Sequence, residues 1–270
     1  MLAISNIQKT FNPGTANEVQ SLRGVTLEIP EKSFLIILGG NGSGKSTLLN
    51  AVAGTFKVDS GTIRIGGRDV TRWHEHQRAG LVGRVFQNPF TGTAPGMSIA
   101  ENFALATRRG LHRGLGWALG TGLLDQFRDR VSELGMGLEN RLGDAIGSLS
   151  GGQRQALTLL MATWIKPSLL LLDEHTAALD PKSAEQVIRV TEQVITRQQL
   201  TTLMVTHSMQ QAVNLGDRIV MMHRGNIAYR FEGADKRRLR VPDLLGRFDD
   251  LRRRETLDET AANLLQETYI

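Results

Sequence analysis

The nine residues Gly39-Gly40-Asn41-Gly42-Ser43-Gly44-Lys45-Ser46-Thr47 constrain this chain more than any others. They lie between a continuous apolar stretch, Ser33 to Leu38, and a helically spaced segment, Ser46 to Ala53, closed by Gly54. An unbroken apolar run of strand length suits a strand buried on both faces, as in a parallel sheet. The unit therefore reads strand, glycine loop, helix. It fits the pattern G-x-x-x-x-G-K-[ST], in which successive backbone N–H groups wrap phosphates. Lys45 would neutralise the β- and γ-phosphates, and the Ser46 hydroxyl would bind Mg²⁺. The plain alternative is a glycine-rich turn before a helix.

Leu169-Leu170-Leu171-Leu172-Asp173-Glu174 reads as the second half of the same site. A buried strand delivers two carboxylates at its C-terminal edge, where ligands sit in open α/β sheets. Asp173 would hold Mg²⁺, directly or through water, and Glu174 would point elsewhere and polarise the attacking water. A strand followed by an acidic helix cap is the plain alternative.

Leu149-Ser150-Gly151-Gly152-Gln153 precedes an apolar run that reads as a helix. Ser150 offers a hydroxyl, Gly151 and Gly152 permit close backbone approach, and the helix start would favour an anion. An ordinary serine cap with a glycine turn explains the pattern equally well on its own. Here the chain resembles the ATP-binding cassette (ABC) ATPases, whose signature reads LSGGQ. The likeness runs from about residue 2 to 231, with each motif in order.

The resemblance implies an α/β fold, a P-loop NTPase of RecA-like type. Its core sheet would be mostly parallel, with a small antiparallel β subdomain and an α-helical signature subdomain. It implies ATP and Mg²⁺ as ligands. Gln87 matches the family's glutamine loop, with its amide oxygen near Mg²⁺ or the attacking water. Asp180 resembles the D-loop aspartate, though it suits a helix cap as well. His207 resembles the switch histidine at the γ-phosphate. Phe11 matches the base-stacking aromatic, with Val19 beside it. In the family fold LSGGQ does not reach its own phosphate loop. The resemblance thus implies a head-to-tail homodimer with ATP at the interface. Two positions depart from the pattern: His175 stands where proline is usual, and Ala177 or Ala178 where the D-loop often has serine.

Residues 1–232 read as the ATPase unit, with a helical lobe at about 92–160 inside it. Leu2 to Ile4, Val25 to Ile29 and Gly61 to Gly67 read as strands of the antiparallel sheet. Leu203 to Thr206 reads as a third core strand, and Ile219 to Met222 with Asn226 to Phe231 as a closing pair. Residues 233–270 read as a basic tail ending in a short amphipathic helix, with Leu257, Ala261, Leu264, Leu265 and Thr268 on one face. Lys236 to Arg254 holds eight basic and three acidic residues, a net +5 that equals the charge of the whole chain. This reads as a solvated tail, with anionic lipid or a partner as the sharper alternative. Few aromatics interleave with the charges, so nucleic acid is not expected.

The 270 residues include no cysteine and no apolar stretch near the ~18 residues of a membrane span. Other chains must then form any path through a bilayer. The leading expectation is a peripheral subunit on the cytoplasmic face of the membrane that energises a transporter, an importer of amino acids or similar solutes. Residues 88–103 would meet the permease, and a separate substrate-binding protein would complete the system. The stretches at 88–103 and Asp173 to Pro181 resemble amino-acid uptake ATPases whose permeases are of branched-chain type, with aromatic amino acids as cargo. The alternative is a soluble ABC ATPase acting on a ribosome, DNA or a cofactor-assembly scaffold.

Overall fold

The computed structural model describes residues 1–110 and 121–253. Along the chain come β1 (Leu2–Phe11), β2 (Val19–Ile29), β3 (Phe34–Gly39), α1 (Lys45–Ala53), β4 (Ser60–Ile65) and β5 (Arg68–Asp69). Then follow α2 (Glu75–Arg78), β6 (Val82–Val85), α3 (Ile99–Ala106), α4 (Thr121–Ser132) and α5 (Gly151–Trp164). The last stretch holds β7 (Leu169–Asp173), α6 (Pro181–Gln198), β8 (Thr202–Val205), α7 (Met209–Asn214), β9 (Arg218–His223), β10 (Asn226–Glu232) and α8 (Gly233–Arg238). A final helix, α9, occupies 241–253.

Two sheets organise these elements. The larger has the order β10-β9-β3-β8-β7-β6, parallel throughout except for the antiparallel β9–β10 hairpin. Its central strands β3, β7 and β8 are buried on both faces, whereas β10 is half exposed, so alternate side chains of the central strands serve different cores. Leu35, Ile37, Leu169, Leu171, Leu203 and Val205 pack with α1 and the smaller sheet. Ile36, Leu38, Leu170, Leu172 and Met204 pack with the helices opposite. This two-sided burial accounts for the unbroken apolar runs. The smaller sheet is antiparallel, in the order β2-β1-β4-β5. It reaches further than the alternation implied: β1 runs on to Phe11 and β2 begins at Val19, with those two residues paired across the strands. The fold is the expected α/β arrangement. None of the described helices is long and apolar enough to cross a membrane.

The basic segment after residue 232 does not trail into solvent over its described length. Lys236 is buried and donates to the Val213 carbonyl at 2.6 Å. Leu244 is fully buried and Leu251 nearly so, and Phe248 packs beside them on the main core. The apolar face at Leu244, Phe248 and Leu251 has the spacing of one helix side, masked in the sequence by the charges around it. The face from Leu257 to Thr268 lies outside the described residues. Leu244→Ala should cost about 2–5 kcal/mol, the range for a buried leucine. Denaturant unfolding of the two proteins measures this, and a change below about 0.5 kcal/mol, typical of a surface site, would mean α9 is not docked.

Candidate active site

The glycine loop follows β3 and leads into α1. Gly44 has φ +98°, a conformation that disfavours a side chain, and a Cβ there would fall 2.6 Å from the Ser21 carbonyl oxygen. The β9–β10 hairpin supports the loop from outside. Gly225 N–H donates to the Ser43 carbonyl, and the Gly225 carbonyl accepts from Arg23 N–H, both at 3.0 Å. Arg78, almost fully buried, donates to the Ala51 and Val52 carbonyls at 2.8 and 2.7 Å, satisfying the end of α1.

The buried Lys45 ammonium donates to the Gly39 and Gly40 carbonyls, each at 2.9 Å. Burial pushes its pKa down, and Glu174 and Asp173 pull it back up. The Ser43 hydroxyl is buried and has no partner. A buried cation beside an unmatched hydroxyl and a glycine backbone fits an anionic phosphate chain. The Ser46 hydroxyl side is exposed and Thr47 half-buried at the first turn of α1, while Gly40, Asn41 and Gly42 form the exposed crest of the loop.

Asp173 ends β7 and lies 3.5 Å from the Arg84 guanidinium, which also bonds Asn50 of α1 at 2.6 Å. Glu174 leaves the strand's alternation because its backbone turns to φ +43°. Its N–H donates to the Val205 carbonyl at 3.0 Å. One carboxylate oxygen, Oε1, stands 2.7 Å from His207 Nε2, and the other, Oε2, accepts from Gln87 Nε2 at 3.3 Å. Three residues far apart in sequence thus meet at the C-terminal edge of the parallel sheet. Gln211 holds the two loops around them together. It accepts from the Thr206 hydroxyl at 2.7 Å and bonds the Thr176 hydroxyl at 3.1 Å. Nothing in the sequence pattern singled out Gln211, Arg84 or Arg78, because their roles depend on contacts across the fold.

Phe11 and Val19 lie together at the far end of the β1–β2 pair. Phe11 is half-buried and meets Phe56 edge to face, with ring centres 5.3 Å apart, and Val19 is exposed. Val19 is two residues along β2 from Ser21, whose carbonyl abuts Gly44, or roughly 7 Å at strand rise. The Lys9 ammonium lies 5.5 Å from the centre of the Phe11 ring, so this strand end pairs an aromatic surface with a cation.

Ser150 caps α5. Its hydroxyl accepts from Gln153 N–H at 3.3 Å, and the Gln153 side chain accepts from Ser150 N–H at 3.2 Å. A Cβ on Gly152 would fall 2.7 Å from Ser183 Cβ, so this glycine lets α5 approach α6; Gly151 lies against Leu179. Asp180 caps α6 by accepting from Ser183 N–H at 3.0 Å. The LSGGQ and D-loop segments therefore form one packed unit. A separate pocket of about 450 Å³ contains Gly39 to Ser43 and His207, together with Leu245, Phe248 and Arg252 of α9, and no residue of Leu149–Gln153 lines it. The site residues fall into two groups: Lys45, Asp173, Glu174, Gln87 and His207 in one, and Ser150 to Gln153 with Asp180 in the other. The contribution of α9 to the phosphate-loop pocket was not foreseen, because the segment read as a tail.

Comparison with known proteins gives the same architecture a name. The profile of the family described as ABC transporter matches residues 22–177, more than half of the chain. A tyrosine transport ATP-binding protein of Clostridioides difficile is 39% identical over 253 residues, covering 92% of this chain and 99% of that protein. A lipoprotein-releasing system ATP-binding protein of Ruegeria pomeroyi is 33% identical, over 84% of this chain and 96% of that one. The dimeric post-hydrolysis structure of the ATP-binding cassette MJ0796 with ADP and phosphate superposes with a TM-score of 0.73 at 26% identity, over 86% of this chain and 98% of that one. The chain belongs to the ABC transporter family, as an ATP-binding cassette whose ATP hydrolysis is coupled to transport.

Proposed function

We propose that this chain energises the uptake of amino acids, aromatic ones first, as a head-to-tail homodimer on the cytoplasmic side of a permease. The observation that carries the reading is the meeting of Gln87, Glu174 and His207 within electrostatic reach of Lys45, while Ser150 caps its own helix and Gly151 and Gly152 pack against Leu179 and Ser183. One copy supplies the phosphate loop and the base; the other supplies LSGGQ. The similarity to a tyrosine transport protein over nearly its whole length supports the cargo class.

In this reading Phe11 stacks on adenine, with Val19 at its edge. Backbone N–H groups from Gly39 to Thr47 and the Lys45 ammonium hold the phosphates. Ser46, Asp173 and the Gln87 amide oxygen are hard oxygen donors, the kind Mg²⁺ takes alongside phosphate and water. Mg²⁺ bound there neutralises charge on the β- and γ-phosphates. Glu174 accepts a proton from the attacking water, and His207 orients Glu174 and faces the γ-phosphate. Asp180, in the group with LSGGQ, links closure at one site to the other.

The permease contact is assigned to residues 88–103. Phe90 is largely exposed there, and exposed Leu105 borders an adjoining groove of about 1060 Å³ that also includes Phe86 and Gly92 to Ala94. A bound coupling segment would cover these apolar surfaces. Recovery of the tagged chain with a permease and a substrate-binding protein from solubilised membranes tests the assembly. Recovery with ribosomes or a soluble scaffold instead, and no permease, overturns it. Phe11→Ala should weaken ATP binding roughly 5- to 150-fold, the worth of one stacked base. Titration calorimetry reads this, and an unchanged Kd would remove Phe11 from the site.

A further inference from the structure

His175 follows Glu174 and is almost wholly inaccessible to solvent. Its Nε2 lies 3.1 Å from Thr191 Oγ1, midway along α6. Thr191 has one hydroxyl proton, and it donates that proton to the Val187 carbonyl at 2.8 Å. Nε2 must therefore carry a hydrogen and donate to Thr191, which fixes the tautomer. The other ring nitrogen, Nδ1, is then a bare acceptor, and it is buried without a partner. A leucine would fill such a volume with no stranded polar atom, so packing alone does not account for a histidine here.

The residue before it is held in an unfavourable conformation. Glu174 has φ +43°, where side-chain-bearing residues are uncommon. Two backbone bonds flank it: its N–H to the Val205 carbonyl, and Ala177 N–H to its own carbonyl at 2.9 Å. Neither bond restrains the peptide that joins Glu174 to the next residue from the side of α6. The His175 ring is the side chain nearest in sequence that is anchored to that helix, the same helix that Asp180 caps. A proline at this position would fix the backbone through its ring; a histidine has to do so through a contact.

We infer that His175 is a positioning residue for Glu174, holding the carboxylate at the Gln87–His207 cluster through its Nε2–H bond to Thr191. The inference rests on Glu174 being the base. The bond ties the backbone of the base to α6, so a shift of α6, the helix that Asp180 caps, would be passed to the carboxylate. The requirement is for a donor at the Nε2 position and an acceptor at 191, not for charge.

Steady-state ATP turnover of four variants tests this, with Glu174→Gln run beside them. His175→Leu should lower kcat about 10- to 100-fold, the scale of an ångström-level misplacement of a catalytic group. KM for ATP should stay within about twofold, since the residue does not touch the phosphate loop. His175→Gln, which carries an N–H donor at nearly the Nε2 position, should recover most of the loss. Thr191→Val, which keeps the shape and removes the acceptor, should lower kcat as His175→Leu does. The double variant His175→Leu with Thr191→Val should be no worse than the weaker single, because both break one bond. A merely structural role would lower the unfolding midpoint with unchanged kcat per folded protein, and that result overturns the inference. So does a His175→Gln variant as slow as His175→Leu, or losses that multiply in the double variant. If Glu174→Gln itself turns over normally, the assignment of the base falls instead.

Discussion

Glu174→Gln should lower ATP turnover about 10²- to 10⁴-fold, the span of general-base catalysis. The amide keeps the size of the side chain and can still accept from Gln87 or face His207, so the fold and the pocket persist. It cannot accept a proton from water. The Lys45 ammonium and the loop backbone are untouched, so ATP binding remains. The variant should therefore hold ATP and stay in the closed dimer, because hydrolysis is the step that reopens it. Single-turnover hydrolysis, with size-exclusion chromatography in ATP, measures both effects. Turnover within about threefold of the parent would remove Glu174 from the chemistry. The geometry behind the prediction is specific: the carboxylate reaches His207 at 2.7 Å and Gln87 at 3.3 Å, from three separate loops.

Ser150→Arg should abolish turnover while leaving ATP binding to the single chain within about threefold. Ser150 begins α5, and its loss as a helix cap costs about 1 kcal/mol, too little to unfold the chain. The hydrogen bonds of Ser150 stay within the first turn of α5, and none of 149–153 lines the pocket at Gly39 to Ser43, so the arginine side chain should leave the chain's own phosphate loop unaltered. In the dimer the same side chain would stand where the partner's ATP must sit. Calorimetry on dilute protein reads the binding, and a phosphate-release assay reads the turnover. Loss of ATP binding by the single chain would mean that Ser150 serves its own site.

The core of this fold is legible in the sequence because two-sided burial leaves a plain trace. Phe34 to Leu38 and Leu169 to Leu172 are unbroken apolar runs whose alternate residues enter different cores. The glycine loop is legible for a similar reason: a positive φ and a close approach, as at Gly44, admit few other residues. The cluster of Gln87, Glu174 and His207 is a different matter. Each residue is common, and in the sequence only the order of the motifs joins them. Gln211, Arg84 and Arg78 left no trace, because their work is to bond carbonyls and side chains brought near by the sheet order. The apolar side of the helix 241–253 is hidden by the charges on and around it. Eight basic residues from Lys236 to Arg254 mask the pattern of Leu244, Phe248 and Leu251, which share one helical side. Ser150 and Asp180 each satisfy two readings. Both are helix caps in the single chain, and a role at the partner's nucleotide is compatible with that geometry.

The central claim is that one chain carries two half-sites that complete each other only across a dimer. Mixing Ser150→Arg protein with Lys45→Met protein tests it most directly. The first has a sound phosphate loop and no working signature; the second has the reverse. Each alone should be inactive. A mixed dimer contains one intact composite site, from the first chain's loop and the second chain's LSGGQ, so mixing should restore turnover that neither protein shows alone. Turnover that stays absent, while native mass spectrometry shows the mixed dimer with ATP bound, would contradict the account.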